Sequence, residues 1–86
     1  MEAFRLSCVI KVEYTIEPFV EGEIPARVTL AAAALEALGI SVDIGVFGSS
    51  FEVDSTQVGE AMSVLTSTAY AHGATHVTID LEEMQS

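Results

Sequence analysis

The stretch Ser41–Val53, SVDIGVFGSSFEV, lies in the middle of the 86-residue chain and decides how its halves are joined. Ser41 to Phe47 alternates, with Val42, Ile44 and Val46 on one side, and so reads as a strand with one face on a core. Gly48-Ser49 reads as a two-residue hairpin turn with Gly first. That turn sets a register. Val46 then faces Phe51 and Ile44 faces Val53 on the apolar side, while Phe47 pairs with Ser50 and Gly45 with Glu52 on the other.

Working outward, each strand of the hairpin is connected through a helix to a further strand. Phe4, Leu6, Cys8, Ile10, Val12, Tyr14 and Ile16 alternate with Arg5, Ser7, Val9, Lys11, Glu13 and Thr15, and Glu17-Pro18 ends this first strand. Glu21-Gly22-Glu23-Ile24-Pro25 opens a helix, the glutamates suiting its positive end. Its apolar stripe is Val28, Ala31, Ala32, Leu35 and Leu38, and Gly39 follows its end. After the hairpin, Asp54 and Gln57 form a capping-box pattern for a second helix that buries Val58, Met62, Leu65 and Ala69 and stops at Gly73. Thr75 to Leu81 is the last strand, with Val77, Ile79 and Leu81 inward. Strand, helix, strand, strand, helix, strand is the ferredoxin-like βαββαβ order. The expected class is therefore α+β: a four-stranded antiparallel sheet with both helices on one face. One domain spans residues 1–86, with an ordered core over about residues 4–81.

Thirteen acids against three bases give a formal charge of −10. Arg5, Lys11 and Arg27 cannot build a phosphate-neutralising surface, which excludes nucleic acid as a partner. An anionic membrane surface is disfavoured for the same reason, and no apolar run is long enough to span a bilayer. The acidity fits two causes: a surface kept solvated in high salt, or attraction of a cationic ligand. A single cysteine, Cys8, allows no internal disulfide and suits a reducing, cytoplasmic setting.

Two helices on one face leave the other sheet face open. Its expected residues are Val9, Lys11, Glu13, Thr15, Asp43, Gly45, Phe47, Ser50, Glu52, His76, Thr78 and Asp80. Gly45 opposite Glu52 leaves a gap, with Phe47 as an aromatic wall beside it. Catalytic groupings are poor. Cys8 points into the core, His72 caps a helix end, and His72 and His76 do not converge. The expected catalytic set, metal set and cofactor set are all empty.

Several short motifs point to a family. They are Tyr14-Thr15-Ile16-Glu17-Pro18 at the strand end, an Ala-rich helix ending in Leu38-Gly39, Gly48-Ser49-Ser50-Phe51-Glu52, and Ala71-His72-Gly73-Ala74-Thr75-His76-Val77. In these the chain resembles the small thiamine-binding proteins of ferredoxin-like fold, related to the YkoF-type hydroxymethylpyrimidine/thiamine binders. Ser49 stands where many members have Thr and keeps the hydroxyl. The family's basic ending is replaced by Asp80-Leu81-Glu82-Glu83, which favours unphosphorylated ligands. The resemblance implies a non-catalytic binding protein for thiamine or a related pyrimidine, with the ligand near a subunit contact of a homodimer or homotetramer.

Thiamine's positive ring suits an acidic protein, its rings suit Phe47, and its aminopyrimidine suits Ser50, Glu52 and Thr78. The expected ligand-binding set is Glu52, Phe47, Ser50, Ser49, Thr78, Glu13 and His76, held on the open sheet face. The alternative is a ligand-free structural or regulatory association domain. Self-association is expected either face to face or through an exposed Ser41–Phe47 edge.

Overall fold

Alternating residues in the first strand place Val12, Tyr14 and Ile16 on one side of the sheet, where each is at most 3% exposed. This strand, β1 (Val9–Glu17), is central. The computed structural model describes residues 7–84 and continues with α1 (Ala26–Glu36), β2 (Asp43–Ile44), β3 (Ser49–Asp54), α2 (Val58–Ala71) and β4 (His76–Glu83). The sheet order is β2-β3-β1-β4, and all pairings are antiparallel. This is the expected ferredoxin-like α+β arrangement. The expected opening of the first strand at Phe4–Leu6 lies outside the described residues.

Both helices cover the side carrying Val12, Tyr14, Ile16, Phe51 and Val53. Ala31 and Leu35 of α1 and Ala61, Leu65 and Ala69 of α2 complete the core. The alanines let the helices approach the sheet closely, while Leu35 and Leu65 fill the space between. Gly39 (φ 86°) and Gly73 (φ 96°) follow the helix ends in the left-handed region, as their positions in the sequence require. The His72 ring bonds the Thr68 carbonyl through Nδ1 at 2.9 Å, so it does close the end of α2.

The helix starts differ from expectation. α1 begins at Ala26 with Pro25 as its extended N-cap, and its first turn holds no acid. Glu21 and Glu23 belong instead to the loop before it. Asp54 does not cap α2. It ends β3, and its carboxylate accepts from the Thr56 hydroxyl and from the Thr56 N–H at 2.9 Å, forming a local turn before Gln57 caps the helix.

The hairpin register also differs. Ile44 pairs with Ser49 and Asp43 with Ser50, so Gly45–Gly48 is a four-residue loop closed by Gly45 N–H donating to Gly48 O at 2.8 Å. A two-residue turn would require positive φ at Gly48, and Gly48 does not adopt it. Its missing side chain serves another purpose. A Cβ there would lie 3.1 Å from the Tyr14 carbonyl oxygen, so glycine lets the loop press against β1. Face assignments survive the slip because it preserves parity: Ile44, Phe51 and Val53 stay inward, and Asp43, Ser50 and Glu52 stay outward. Val46 does not, standing at the loop tip 89% exposed.

Leu35→Ala or Leu65→Ala should each cost about 2–5 kcal/mol, a large share of the ~5–15 kcal/mol that holds a small domain together. Urea denaturation midpoints measure the loss. Asp54 supplies a pH test. The Thr56 hydroxyl foremost, then Ser7 and the Thr56 N–H, hold its carboxyl below the usual range. A carboxylate favoured in the fold stabilises above its unfolded pKa of ~3.9 and loses that contribution as pH falls through the folded value. Asp54→Asn should therefore flatten the fall in melting temperature below about pH 4, measured against the parent by circular dichroism.

Candidate functional site: a cavity between two loops

The expected ligand residues gather only in part: Glu13, Phe47, Ser49 and Ser50 line one depression, and Glu52, Thr78 and His76 lie apart from it. On the open face, β3 and β1 set Ser50 beside Glu13, and β4 adds Asp80 across from Glu13 while Asp43 lies beyond Ser50. The next row is Glu52, Lys11 and Glu82. Thr78 stands opposite Thr15, and His76 stands opposite Glu17, both on the far side of β1. Two expected features are corrected by the hairpin register. Gly45 lies against Gly48 rather than opposite Glu52, so the expected gap does not exist. Phe47 is no wall on the sheet, because it sits at the loop tip and is 85% exposed. Ser49 faces the helix side, 7% exposed, rather than the open face. This shallow depression, shared with Thr15, Asp43, Gly45 and Gly48, lies at the hairpin end of the sheet. Away from that depression, the open face is dominated by carboxylates.

A better-formed cavity of about 350 Å³ lies at the end of β1, on the helix side of the sheet. Its walls are two loops. The loop from Pro18 to Pro25 brings Phe19, Val20 and Ile24, and the hairpin loop brings Val46 and Phe47. Tyr14, Ile16, Val28, Ile44 and Ser49 close it from within. Phe19 and Phe47 are both largely exposed, at 61% and 85%, and each belongs to a different wall. Glu21 and Glu23 line the same cavity and supply its only charged groups among the described residues. The Pro18–Pro25 loop is held at its start by Arg27 of α1, whose Nη2 donates to the Pro18 carbonyl.

Tyr14 and Ser49 are paired across β1 and β3 and both line this cavity. The Tyr14 hydroxyl is buried and makes no hydrogen bond among the described residues. Burial pushes the Tyr14 phenol up from its usual value; the nearby Ser49 hydroxyl offsets part of that rise, and the charge of Glu36 adds to it. The phenol is therefore neutral at physiological pH. A buried polar group without a partner costs free energy, so it marks a place where an incoming polar atom is worth more than usual.

Sequence periodicity missed most of this site. The loop residues have no period, and Glu21-Gly22-Glu23 read as a helix start. The signal that points to them is Phe19, Val20 and Ile24 set among glutamates between two prolines, more apolar surface than a solvent loop requires. Cys8 is half-buried, with its backbone N–H bonded to the Ser55 hydroxyl at 3.1 Å. Among the described residues no group of His, Cys, Asp and Glu is arranged to hold a metal ion. Nor is any of their helices long and apolar enough to cross a membrane.

The chain matches no family model and no curated protein. Among solved structures it is similar to a domain of unknown function, DUF77, from Bacillus cereus, with a TM-score of 0.64 and 12% identity over 93% of this chain and 78% of that one. It is also similar to the hypothetical protein MJ1052 from Methanocaldococcus jannascii, with a TM-score of 0.64 and 18% identity over 91% of this chain and 80% of that one. At these identities the likeness is one of fold, and it agrees with the ferredoxin-like topology described above.

The carboxylate rows predict a response to one charge. Lys11 stands between Glu52 and Glu82, and like charges directly opposite destabilise a sheet by roughly 0.2–1 kcal/mol per pair. Lys11→Glu should lower the melting temperature at low salt, and molar salt should restore most of the loss. Thermal melts of both proteins at the two salt levels check this.

Proposed function

We propose that the protein binds thiamine or a related pyrimidine such as hydroxymethylpyrimidine, without catalysis, in the cavity between the Pro18–Pro25 loop and the hairpin loop. The observation that carries this reading is the pairing of two aromatic loop side chains with a buried hydroxyl that makes no hydrogen bond among the described residues. Phe19 and Phe47 offer apolar surface and π faces to a planar cationic ring. Glu21 and Glu23 supply negative charge at the same place, and the formal charge of −10 raises the local concentration of a cation. Tyr14 and Ser49 offer hydroxyls to the ring nitrogens and amine of an aminopyrimidine. A volume of about 350 Å³ suits a small heterocyclic molecule.

This reading moves the ligand from the open sheet face to the neighbouring loops. Phe47 and Ser49 of the expected set remain in it. Glu52, Ser50, Thr78, Glu13 and His76 do not line the cavity.

Tyr14→Phe separates binding from folding. It removes a hydroxyl that makes no hydrogen bond among the described residues, so stability should be little changed. Thiamine affinity should fall about three- to tenfold, the value of one ordinary hydrogen bond. Phe47→Ala should weaken binding further, and Glu52→Gln should leave it unchanged. Titration calorimetry with thiamine on the four proteins makes the comparison. Failure of the parent to bind thiamine or hydroxymethylpyrimidine would remove the proposal.

A further inference from the structure

We propose that the cavity between the two loops sorts its ligand by charge: a neutral hydrogen-bonding ring goes to the inner end and a permanently charged ring to the rim, where Glu21 and Glu23 select the cation. This inference rests on the reading of the cavity as a thiamine or pyrimidine site. It adds an orientation, two specificity-determining residues and a preference between the two ligands.

The argument begins with polarity along the cavity. Its inner end is closed by Tyr14, Ile16 and Ser49, all buried. The two polar side chains buried there are uncharged hydroxyls, and that of Tyr14 makes no hydrogen bond among the described residues. Glu21 and Glu23 line the same cavity but are exposed. Among the described residues no lysine, arginine or histidine lines it. Hydroxyls therefore lie inside and carboxylates outside.

A local turn holds the carboxylates at the rim. Glu23 N–H donates to the Val20 carbonyl at 3.5 Å, and Gly22, between the two glutamates, has φ 82°. A four-residue turn with positive φ at its third residue favours glycine there. A Cβ at Gly22 would meet nothing within 4 Å, so the backbone and not crowding requires the glycine. Val20 and Ile24 flank the acidic tip and line the cavity wall. The loop thus packs its apolar side chains against the cavity and keeps both glutamates in water. Arg27, the base nearest in sequence, turns its Nη2 to the Pro18 carbonyl and does not line the cavity.

A thiamine-like molecule can enter in two ways, and one satisfies both ends. With the aminopyrimidine inside, the Tyr14 phenol gains a partner, and the charged ring lies among Phe19, Phe47 and the two carboxylates. With the charged ring inside, a permanent cation loses its water where no carboxylate lines the wall, and its quaternary nitrogen offers the phenol no acceptor. Burying an unpaired charge costs far more than leaving a neutral amine in water. A free pyrimidine uses only the inner end. The preferred class is therefore a neutral heterocycle joined to a quaternary aromatic ring.

Titration calorimetry at low salt, with thiamine and with hydroxymethylpyrimidine, tests the proposal on the parent and three variants. The parent should bind thiamine about tenfold tighter or more. Glu21→Gln with Glu23→Gln should weaken thiamine about three- to thirtyfold and leave hydroxymethylpyrimidine unchanged, and molar salt should erase most of that difference. Glu52→Gln with Glu82→Gln removes the same charge from the open face and should change neither affinity by more than about twofold. Tyr14→Phe should weaken both ligands by the same factor. Circular dichroism confirms that each variant is folded. The proposal alone is overturned if the parent binds both ligands equally, if the Glu21 and Glu23 pair weakens both alike or neither, or if the open-face pair costs thiamine as much. A parent that binds neither ligand overturns the reading of the site as well.

Discussion

Everything in this fold depends on β1 being bonded on both sides. Its even-numbered backbone groups reach β3 and its odd-numbered ones reach β4, so the two strands of the second half are joined in one sheet through it. The same alternation places Val12, Tyr14 and Ile16 under the helices and Lys11, Glu13 and Thr15 on the open face. A strand shared in this way cannot slip by one residue without exposing the core and burying carboxylates. The small alanine-rich helices can then sit close to the sheet, and two leucines suffice to fill the centre of an 86-residue protein.

The end of β1 is where that order stops, and the cavity forms there. After Ile16 the chain leaves the sheet for the Pro18–Pro25 loop, and the hairpin loop lies against Tyr14 and Thr15 through the bare backbone of Gly48. The core thus ends at Tyr14 with a hydroxyl left unpaired among apolar loop side chains. A fully paired core would have no use for that phenol. The open face carries the acidity, the cavity carries the aromatics, and two glutamates bring charge to the aromatics. The proposed ligand suits the combination, because its positive charge and planar rings ask for both.

Element order, faces and most core positions were legible in the sequence because they follow from periods of two and 3.6. Leu35, Leu65 and Ala69 sit where the helical stripes put them, and Asp43, Ser50 and Glu52 share the face that alternation assigns. The hairpin turn was not legible. Gly45 and Gly48 both lie in it, and choosing between them needs contacts with Tyr14 and Thr15 from a distant part of the chain. That single slip carried Phe47 and Val46 off the sheet and separated Gly45 from Glu52. Helix starts failed for a related reason: Glu21, Glu23 and Asp54 satisfy local capping rules but are used by a loop and a turn.

The central claim is that the ligand enters between the loops and not across the sheet. Backbone amide shifts recorded while thiamine is titrated into the labelled protein test it most directly. The account predicts that the changes cluster at residues 19–24 and 45–49 and fade along the strands away from Tyr14. Changes concentrated at Lys11, Glu13, Glu52, Thr78 and Asp80, with those loops unmoved, would contradict it.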